Sequence, residues 1–239
     1  MTIRPDFIPK AVCFDLDGVL IDTMHLHADA WQAALKAVGL SVSRRLIYAW
    51  EGEPGRQTAL RLISQARKGC AKTHVNAMAL QVLADKEERF ARLAVDVAVN
   101  RTWRDFLGKL AASHLPIALV TGTSSQEVQR VVPKAVLSSF DAVVTGDQVK
   151  HGKPHPEPYL TACKRLRVAP VQAIVVENAP YGIRSAKAAG IGLVIALASS
   201  LPASYLQEAD VICDSGAAVR TLLQRLRRRV KTAGLSRKK

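Results

Sequence analysis

Aromatic residues are scarce in this sequence, and it contains no long uninterrupted apolar run. Phe, Trp and Tyr make up 5% of the 239 residues, although 49% of the chain is hydrophobic. This composition predicts a folded protein with an aliphatic core and excludes an intrinsically disordered chain. No apolar run approaches the roughly 20 residues that a membrane-spanning helix needs. The length allows one large domain or two modest ones.

The cysteine patterns of disulfide-rich and zinc-binding proteins are also missing. The first ten residues, MTIRPDFIPK, lack the apolar segment of a secretory signal peptide. A cytoplasmic protein without membrane contact is therefore expected, with buried free thiols rather than disulfides or a zinc site. The four cysteines are far apart and form no C-x-x-C pair: Cys13, Cys70, Cys163 and Cys213.

Acidic residues are absent from the C-terminal segment, which carries much of the net charge of +14. Residues 215–239 hold nine of the 34 Lys and Arg residues, and the other 214 residues have a net charge of only +5. A basic chain raises the possibility of nucleic-acid binding. Because most of the excess lies in a terminal segment, we expect a solvated basic tail over 227–239 and no nucleic-acid partner.

Short β-rich apolar runs alternate with helical patterns along most of the chain. Continuous apolar strands separated by helices predict a parallel sheet covered on both faces, which is an α/β, Rossmann-like core. From about 25 to 100 the apolar spacing is helical only, which predicts an inserted helical cap. The predicted strands are 10–16, 116–121, 141–145, 172–177, 192–197 and 210–213, with helices at 124–132, 156–166 and 179–190.

The same pattern predicts how the chain divides into domains. A discontinuous catalytic core would comprise residues 1–22 and 101–226, with the helical cap over 23–100 and the basic tail over 227–239. The cap would thus be inserted directly after the first strand.

Polar residues stand at or just after the ends of several predicted strands. Because the carboxyl ends of parallel strands share one edge of a sheet, these residues are expected to lie close together. Lys153, in a Gly-Lys-Pro turn, is expected at the same edge. That edge would offer carboxylates for a cation, hydroxyls and a glycine amide for an anion, and one ammonium group. The strand-end residues are Asp15, Asp17, Thr121, Gly122, Thr123, Glu177 and Asn178.

Two aspartates at one strand end are energetically costly. Two like charges about 4 Å apart repel by roughly 4 kcal/mol at an effective dielectric constant of 20. A bound cation or a shared proton relieves this repulsion. An Asp-Gly sequence after a strand can also be a solvated turn. An EF-hand loop is disfavoured, because it needs glycine at its sixth position and Gly18 is fourth.

The strand-end residues suit phosphoryl transfer, in which the protein mainly positions and neutralises the transferred group. An aspartate can attack phosphorus and form an aspartyl-phosphate. A second acid can protonate the leaving oxygen and then activate water. A divalent cation would relieve the carboxylate repulsion and attract the phosphate.

With these motifs the chain resembles the haloacid dehalogenase-like hydrolase superfamily. DLDGVLIDT resembles the first family motif, VTGTS the second, GKPHPEPY the third and VVENAPYGIRSAKAAGI the fourth. Their order and spacing agree from about residue 10 to residue 213. The helical insertion is similar to the cap of the phosphoglycolate phosphatase and β-phosphoglucomutase branch.

The resemblance implies roles for individual residues. Asp15 would be the nucleophile and a metal ligand, and Asp17 the general acid and base, with its backbone carbonyl also reaching Mg²⁺. Thr121 and Lys153 would hold the phosphoryl oxygens. Glu177 and Asn178 would face Mg²⁺ directly or through water. The remaining implied residues are Gly122 and Thr123 beside the phosphate, and His27, Gly52 and Arg56 near the substrate-contacting part of the cap.

Three positions depart from the pattern. Asn178 stands where the family usually has aspartate, so an oxygen ligand is kept and a charge is lost. Ser124 and Gly55 stand where β-phosphoglucomutase has lysine and arginine, and Arg56 follows one residue later. The last two changes count against the mutase.

The function expected from the resemblance is Mg²⁺-dependent hydrolysis of a small phosphorylated metabolite through an aspartyl-phosphate. A sugar phosphomutase of the β-phosphoglucomutase type is the alternative within the family. A non-catalytic regulatory protein that binds nucleic acid through its basic tail is the alternative of another class. Haloacid dehalogenation is disfavoured because it would leave Asp17 and the metal-binding acids without a purpose.

Overall fold

The computed structural model describes residues 3, 4, 6–66, 72–95, 97–113 and 115–236. Within these ranges a parallel sheet of six strands forms the centre of the fold, in the order β3-β2-β1-β4-β5-β6. This confirms the predicted α/β, Rossmann-like architecture. The strands are β1 (Ala11–Phe14), β2 (Ile117–Val120), β3 (Ala142–Val144), β4 (Ala173–Glu177), β5 (Leu193–Leu197) and β6 (Val211–Cys213).

The chain order places a topological switch at the centre of this sheet. From β1 the chain crosses to β2 and β3 on one side, and it then returns to β4 on the other side of β1. Ligands of open parallel sheets bind outside the carboxyl ends of the strands at such a switch. The carboxyl ends of β1 and β4 therefore define where a site is expected.

Ten α-helices accompany the sheet in the described ranges. Several begin at side-chain caps: Asn100 Oδ1 accepts from the backbone N–H of Thr102 at 2.8 Å, and Ser124 Oγ accepts from that of Glu127 at 3.3 Å. The helices are α1 (Met24–Ala37), α2 (Arg44–Ala49), α3 (Gly55–Ala66), α4 (Lys72–Leu93), α5 (Arg101–Ala111), α6 (Ser125–Val131), α7 (Lys134–Leu137), α8 (Glu157–Leu166), α9 (Pro180–Ala188) and α10 (Gly216–Ser236).

Both faces of the sheet are buried, which explains why the strands read as continuous apolar runs. On β1, Val12 and Phe14 pack into one core cluster, whereas Ala11 and Cys13 pack into the cluster on the opposite face. Strand side chains alternate between the two faces, so each strand contributes to both clusters.

The helices between β1 and β2 have a core of their own. Trp31 and Leu35 of α1 pack there with Leu62 of α3 and Val82 of α4. This helical part follows β1 directly, where the sequence pattern predicts an insertion. Its assignment as a separate cap domain stays a proposal.

Three expectations from the sequence concern the basic tail, the cysteines and membrane-spanning helices. Helix α10 extends through Ser236, so 227–236 of the predicted tail continue a helix, and 237–239 lie outside the described residues. Cys13, Cys163 and Cys213 are free and buried, and Cys70 lies outside the described residues. None of the helices in the described ranges combines the length and apolar character that a membrane crossing requires.

Leu119 offers a test of the packing at the centre of the sheet. It lies in β2 and is fully buried. The substitution Leu119→Ala should lower the free energy of unfolding by about 2–5 kcal/mol, because it removes buried methyl groups and leaves a cavity. Urea denaturation measures the change. Leu80→Ala is the matched control, since Leu80 on α4 is 56% exposed and its truncation should cost no more than about 0.5 kcal/mol. Equal losses in the two variants would contradict the assigned core.

Candidate active site

The loop after β1 carries two buried aspartates. Asp15 is 4% and Asp17 is 3% exposed. The backbone N–H of Asp15 donates to Val176 O at 2.9 Å, which extends the pairing of β1 with β4 by one residue. Gly18 then takes a φ of +77°, a conformation that glycine adopts without strain. The chain turns sharply there, and both carboxyl groups stay at the sheet edge.

Lys153 connects the ends of three strands. Its Nζ donates to Asp15 Oδ1 at 2.6 Å and to Glu177 Oε1 at 2.6 Å. The third bond runs to the carbonyl oxygen of Val120 at 3.1 Å. The side chain is 1% exposed. Its buried ammonium group uses all three N–H donors on acceptors at the ends of β1, β2 and β4.

The protonation of this cluster follows from burial and from the balance of charges. Burial by itself would lower the pKa of Lys153, but Asp15 and Glu177 raise that pKa above its usual value. Burial raises the pKa of Asp15 well above its usual value; Lys153 opposes this rise, and Glu177 and Asp17 add to it. The carboxyl groups thus outnumber the cation between them, which favours a further positive charge at this edge.

Asp17 is held by hydroxyls and a histidine. Its Oδ1 accepts from Thr23 Oγ1 at 2.5 Å and lies 3.1 Å from His27 Nε2. Its Oδ2 accepts from Thr123 Oγ1 at 2.7 Å and, at 3.5 Å, from Thr121 Oγ1. Burial alone would raise the pKa of Asp17, but the nearby His27 and the hydrogen bonds bring it well below its usual value. Asp17 is therefore held as a carboxylate.

Asn178 approaches the turn after β1 from the end of β4. A Cβ atom at Gly18 would overlap the Asn178 amide, so the approach requires glycine there. Asn178 Nδ2 donates to Ser200 Oγ at 3.5 Å. Its Oδ1 is buried and has no hydrogen-bond partner among the described residues. An unpaired buried carbonyl oxygen is costly and is a candidate ligand atom for a cation.

The helical part between β1 and β2, named the cap from here on, contacts this edge through a loop and through α1. Gly52, with φ of +91°, lies so close to Gly122 that a side chain on Gly122 would overlap the Gly52 backbone. A Cβ atom at Gly52 would also come within 2.8 Å of Lys153 Cδ. His27 of α1 stacks on Phe90 of α4, with ring centroids 3.9 Å apart. Cap residues therefore pack directly on the residues at the strand ends.

A cavity of about 160 Å³ lies between cap and core next to these contacts. His27, Gly122 and Thr123 line it, and Thr123 and His27 are also partners of Asp17. A buried ion pair crosses from cap to core at its wall, with Lys86 Nζ of α4 3.3 Å from Glu127 Oε1 of α6. The cavity thus adjoins Asp17.

The structure brings nearly all of the predicted site residues to this edge. Asp15, Lys153 and Glu177 form one hydrogen-bonded group, and Asp17, Thr121, Thr123 and His27 form a second, while Gly52 and Gly122 pack beside them. Arg56 is different. It lies exposed on α3 and does not line the cavity, whereas its neighbour Gly55 does.

Other residues of the site were not predicted from the sequence. Tyr159 donates its hydroxyl proton to Glu177 Oε1 at 2.5 Å, and Gly182 faces the same carboxylate. Thr23 and Tyr159 are the last residues of the motifs DLDGVLIDT and GKPHPEPY, and this position in a motif could have indicated that they belong to the site. Lys86 and Glu127 gave no such signal, because they meet only through the packing of cap on core.

Gly182 provides a test of how tightly Glu177 is held. A Cβ atom at Gly182 of α9 would overlap the Glu177 carboxylate, which also bonds to Lys153 and Tyr159. Gly182→Ala should therefore lower the free energy of unfolding by about 1–3 kcal/mol, the usual cost of overpacking a filled interior. Urea denaturation measures the loss.

Gly108→Ala is the matched control for this prediction. Gly108 lies in α5, and a Cβ atom there would meet no atom within 4 Å. Alanine in an open helical position should leave the protein equally stable or stabilise it by about 0.4–1 kcal/mol. A Gly182→Ala protein as stable as Gly108→Ala would show that the Glu177 carboxylate moves aside without cost.

Comparisons with known proteins identify the family. The chain is 33% identical over 205 residues to validoxylamine A 7'-phosphate phosphatase of Streptomyces hygroscopicus subsp. limoneus, covering 85% of this chain and 92% of that protein. It is 32% identical over 193 residues to a phosphorylated carbohydrates phosphatase of Thermotoga maritima, covering 80% and 87%. Both names describe phosphoric monoester hydrolases, the enzyme class predicted from the sequence.

A solved structure supports the fold. The β-phosphoglucomutase of Clostridium difficile superposes with a TM-score of 0.77 over 94% of this chain and all of that one, at 19% identity. A likeness at this identity concerns the fold alone. The family model described as haloacid dehalogenase-like hydrolase matches residues 12–196. The chain therefore belongs to the haloacid dehalogenase-like hydrolases, as its four motifs predict.

Proposed function

We propose that the chain is a Mg²⁺-dependent phosphatase that hydrolyses small phosphomonoesters through an aspartyl-phosphate on Asp15. The observation that carries the proposal is the pair of carboxylates at the end of β1. Asp15 lies 2.6 Å from the Lys153 ammonium, and Asp17 lies beside the cap cavity with His27 and Thr123. The two named phosphatase relatives support hydrolysis of phosphate esters.

In the first half-reaction Asp15 attacks the phosphorus atom. A bond forms between a carboxylate oxygen and phosphorus as the bond from phosphorus to the leaving oxygen breaks, and the electron pair of the broken bond stays on that oxygen. The Thr121 hydroxyl would hold one phosphoryl oxygen, and Lys153 would hold another by exchanging one of its three present acceptors for it. Lys153 also fixes the orientation of the attacking carboxylate through its hydrogen bond to Oδ1.

Asp17 handles the proton in both half-reactions. Because its carboxylate is held ionised, Asp17 must gain a proton before it can give one to the leaving oxygen. His27 Nε2 lies 3.1 Å from Asp17 Oδ1, a distance that allows a proton to pass between them. After departure of the leaving group, the carboxylate of Asp17 takes a proton from water. The water oxygen bonds to phosphorus as the bond from phosphorus to Asp15 breaks, and the electron pair of that bond returns to the Asp15 carboxylate.

The residues at the sheet edge fit a Mg²⁺ ion. The donor set consists of hard oxygens, namely the carboxylates of Asp15 and Glu177, the backbone carbonyl of Asp17 and the unpartnered Oδ1 of Asn178. When bound, Mg²⁺ supplies charge neutralisation for the phosphoryl group. Asn178 Oδ1 is the most direct support for this fit, since nothing else in the described chain satisfies that buried oxygen.

The helical part over 23–100 acts as a cap in this proposal. Gly52 packs on Gly122 and Lys153, and His27 reaches Asp17, so the cap covers the reacting groups and excludes bulk water. His27 and Gly52 would then contact the substrate side of the site. Arg56 is exposed on α3 and does not line the cavity, so its contact with substrate stays a prediction.

A sugar phosphomutase would use the same residues and return the phosphoryl group to the reoriented substrate. Similarity to two named phosphatases favours hydrolysis over this alternative. The substrate that we propose is a phosphorylated carbohydrate or a similar small metabolite. Nucleic acid has no role in this proposal, and a cytoplasmic location stays a prediction.

Phosphate release tests the proposed function. Purified protein with Mg²⁺ should release inorganic phosphate from p-nitrophenyl phosphate and from at least one sugar phosphate, and EDTA should abolish the release. Asp15→Asn should reduce it to background, because an amide does not attack phosphorus. The exposed Asp214→Asn is the matched control and should keep full activity. Isomerised sugar phosphate without phosphate release would establish the mutase instead, and an active Asp15→Asn protein would refute the nucleophile.

Asn178→Asp tests the metal site. The substitution adds a hard anionic oxygen at the same side-chain length, so attraction to Mg²⁺ should increase despite repulsion from Asp15 and Glu177. Half-maximal activity should occur at a Mg²⁺ concentration lower by about threefold or more. Each tenfold change in this concentration corresponds to about 1.4 kcal/mol of Mg²⁺ binding free energy. Asn76→Asp, at an exposed position of α4, is the matched control. An unchanged Mg²⁺ requirement in Asn178→Asp would mean that residue 178 is not a direct ligand.

A further inference from the structure

The cavity between cap and core lies next to two hydrogen-bond partners of the Asp17 carboxylate. Its lining residues His27 and Thr123 both contact the carboxylate of Asp17, the group that protonates the leaving oxygen in the proposed reaction. A leaving group that receives this proton must lie within hydrogen-bond reach of Asp17. The chemistry of the cavity wall should therefore select the part of the substrate that is not phosphate.

The one lysine in the described part of this wall is already paired. Lys86 is the single ammonium group among the described residues that line the cavity, and its Nζ lies 3.3 Å from Glu127 Oε1. Both side chains are at least nine-tenths buried. Ser124 Oγ also donates to Glu127 Oε2 at 3.4 Å, which holds the carboxylate in place. His27 is engaged in the same way by Asp17. Among the described residues that line the cavity, no lysine or arginine is left unpaired for a second anionic group of a substrate.

The carboxylates of the wall are in excess. The cavity lining includes five carboxyl groups, and in the described chain neither Glu51 nor Glu87 has a cation within ion-pair distance. Burial raises the pKa of Glu87 and the neighbouring Glu127 raises it further, whereas Lys86 and Arg130 oppose the rise. Burial likewise raises the pKa of Glu51, and Asp17 adds to this against the opposing charges of His27 and Lys86. A ligand that donates hydrogen bonds or brings positive charge would relieve this crowding.

We propose that this cavity selects a monophosphate whose leaving group is a polyol or amino polyol and rejects one that carries a second anionic group. The proposal rests on the proposed phosphatase function, because it takes the cavity as the site of the leaving group. Glu51 and Glu87 would accept hydrogen bonds from hydroxyl or ammonium groups, and Glu127 pairs with Lys86, the one ammonium group among the described lining residues, so that it does not attract an anion. Glu87 is thus a specificity-determining residue.

Binding to an inactive protein tests the selection independently of turnover. Asp15→Asn protein with Mg²⁺ is titrated by calorimetry with glucosamine 6-phosphate, glucose 6-phosphate and 6-phosphogluconate, whose leaving groups are cationic, neutral and anionic. Glucosamine 6-phosphate should bind at least about tenfold more tightly than 6-phosphogluconate, a difference of about 1.4 kcal/mol, with glucose 6-phosphate between them. Equal binding of the three, tighter binding of 6-phosphogluconate, or no binding of any of them would overturn the selection.

A pair of neighbouring variants assigns the effect to the cavity. In the Asp15→Asn background, Glu87→Gln should reduce the preference for glucosamine 6-phosphate over 6-phosphogluconate by about threefold or more, because it removes one unpaired carboxylate from the wall. Glu88→Gln is the matched control. Glu88 is the next residue on α4, is exposed, pairs with Arg92 and does not line the cavity. Equal preferences in the two variants would remove Glu87 from specificity.

The failure of the selection can be distinguished from the failure of the proposed function. Phosphate release by the wild-type protein reports on the function, and the calorimetric order reports on the cavity. A protein that binds glucosamine 6-phosphate most tightly but releases no phosphate from any ester supports the selection and refutes the phosphatase. A protein that hydrolyses p-nitrophenyl phosphate but prefers 6-phosphogluconate in calorimetry supports the phosphatase and refutes the selection.

Discussion

The ammonium group of Lys153 is the interaction on which the rest of the site depends. Its charge is buried, and an unpaired buried ammonium would be strongly destabilising. The three acceptors that satisfy it come from three different strands: Asp15 after β1, Val120 at the end of β2 and Glu177 at the end of β4. The carboxyl ends of these strands must therefore stay in register, because any separation would leave the lysine or a carboxylate unpaired.

Glycine residues make these close approaches possible. Glu177 reaches Lys153 past Gly182, Asn178 reaches the turn after β1 past Gly18, and the cap loop lies on Gly122. A β-carbon at any of these positions would overlap a neighbouring backbone or side chain. The site is thus built from polar groups that need short distances and from residues small enough to permit them. Tyr159 completes the arrangement by donating to Glu177 from α8.

The sequence predicted the sheet and most of the site for one physical reason, and it missed other parts for another. Parallel strands buried on both faces read as continuous apolar runs, and their carboxyl ends meet wherever the sheet forms. Asp15, Thr121 and Glu177 could therefore be brought together without coordinates. The contact of Lys86 with Glu127 spans 41 positions and depends on how α4 lies against α6. Short helices such as α2, and the exposed orientation of Arg56, likewise follow from tertiary packing and leave little trace in periodicity.

The balance of charge at the sheet edge links the metal proposal to the fold. Asp15, Asp17 and Glu177 are all nearly buried there, and the Lys153 ammonium is shared between two of them. A phosphate monoester would bring further negative charge to this edge. One lysine does not neutralise three carboxyl groups and a phosphate in a low-dielectric site. The proposed substrate would therefore be bound best together with an additional cation, and the unpartnered oxygen of Asn178 is one of the groups proposed to hold it. The proposed dependence on Mg²⁺ thus rests on the same carboxylates that organise the sheet edge around Lys153.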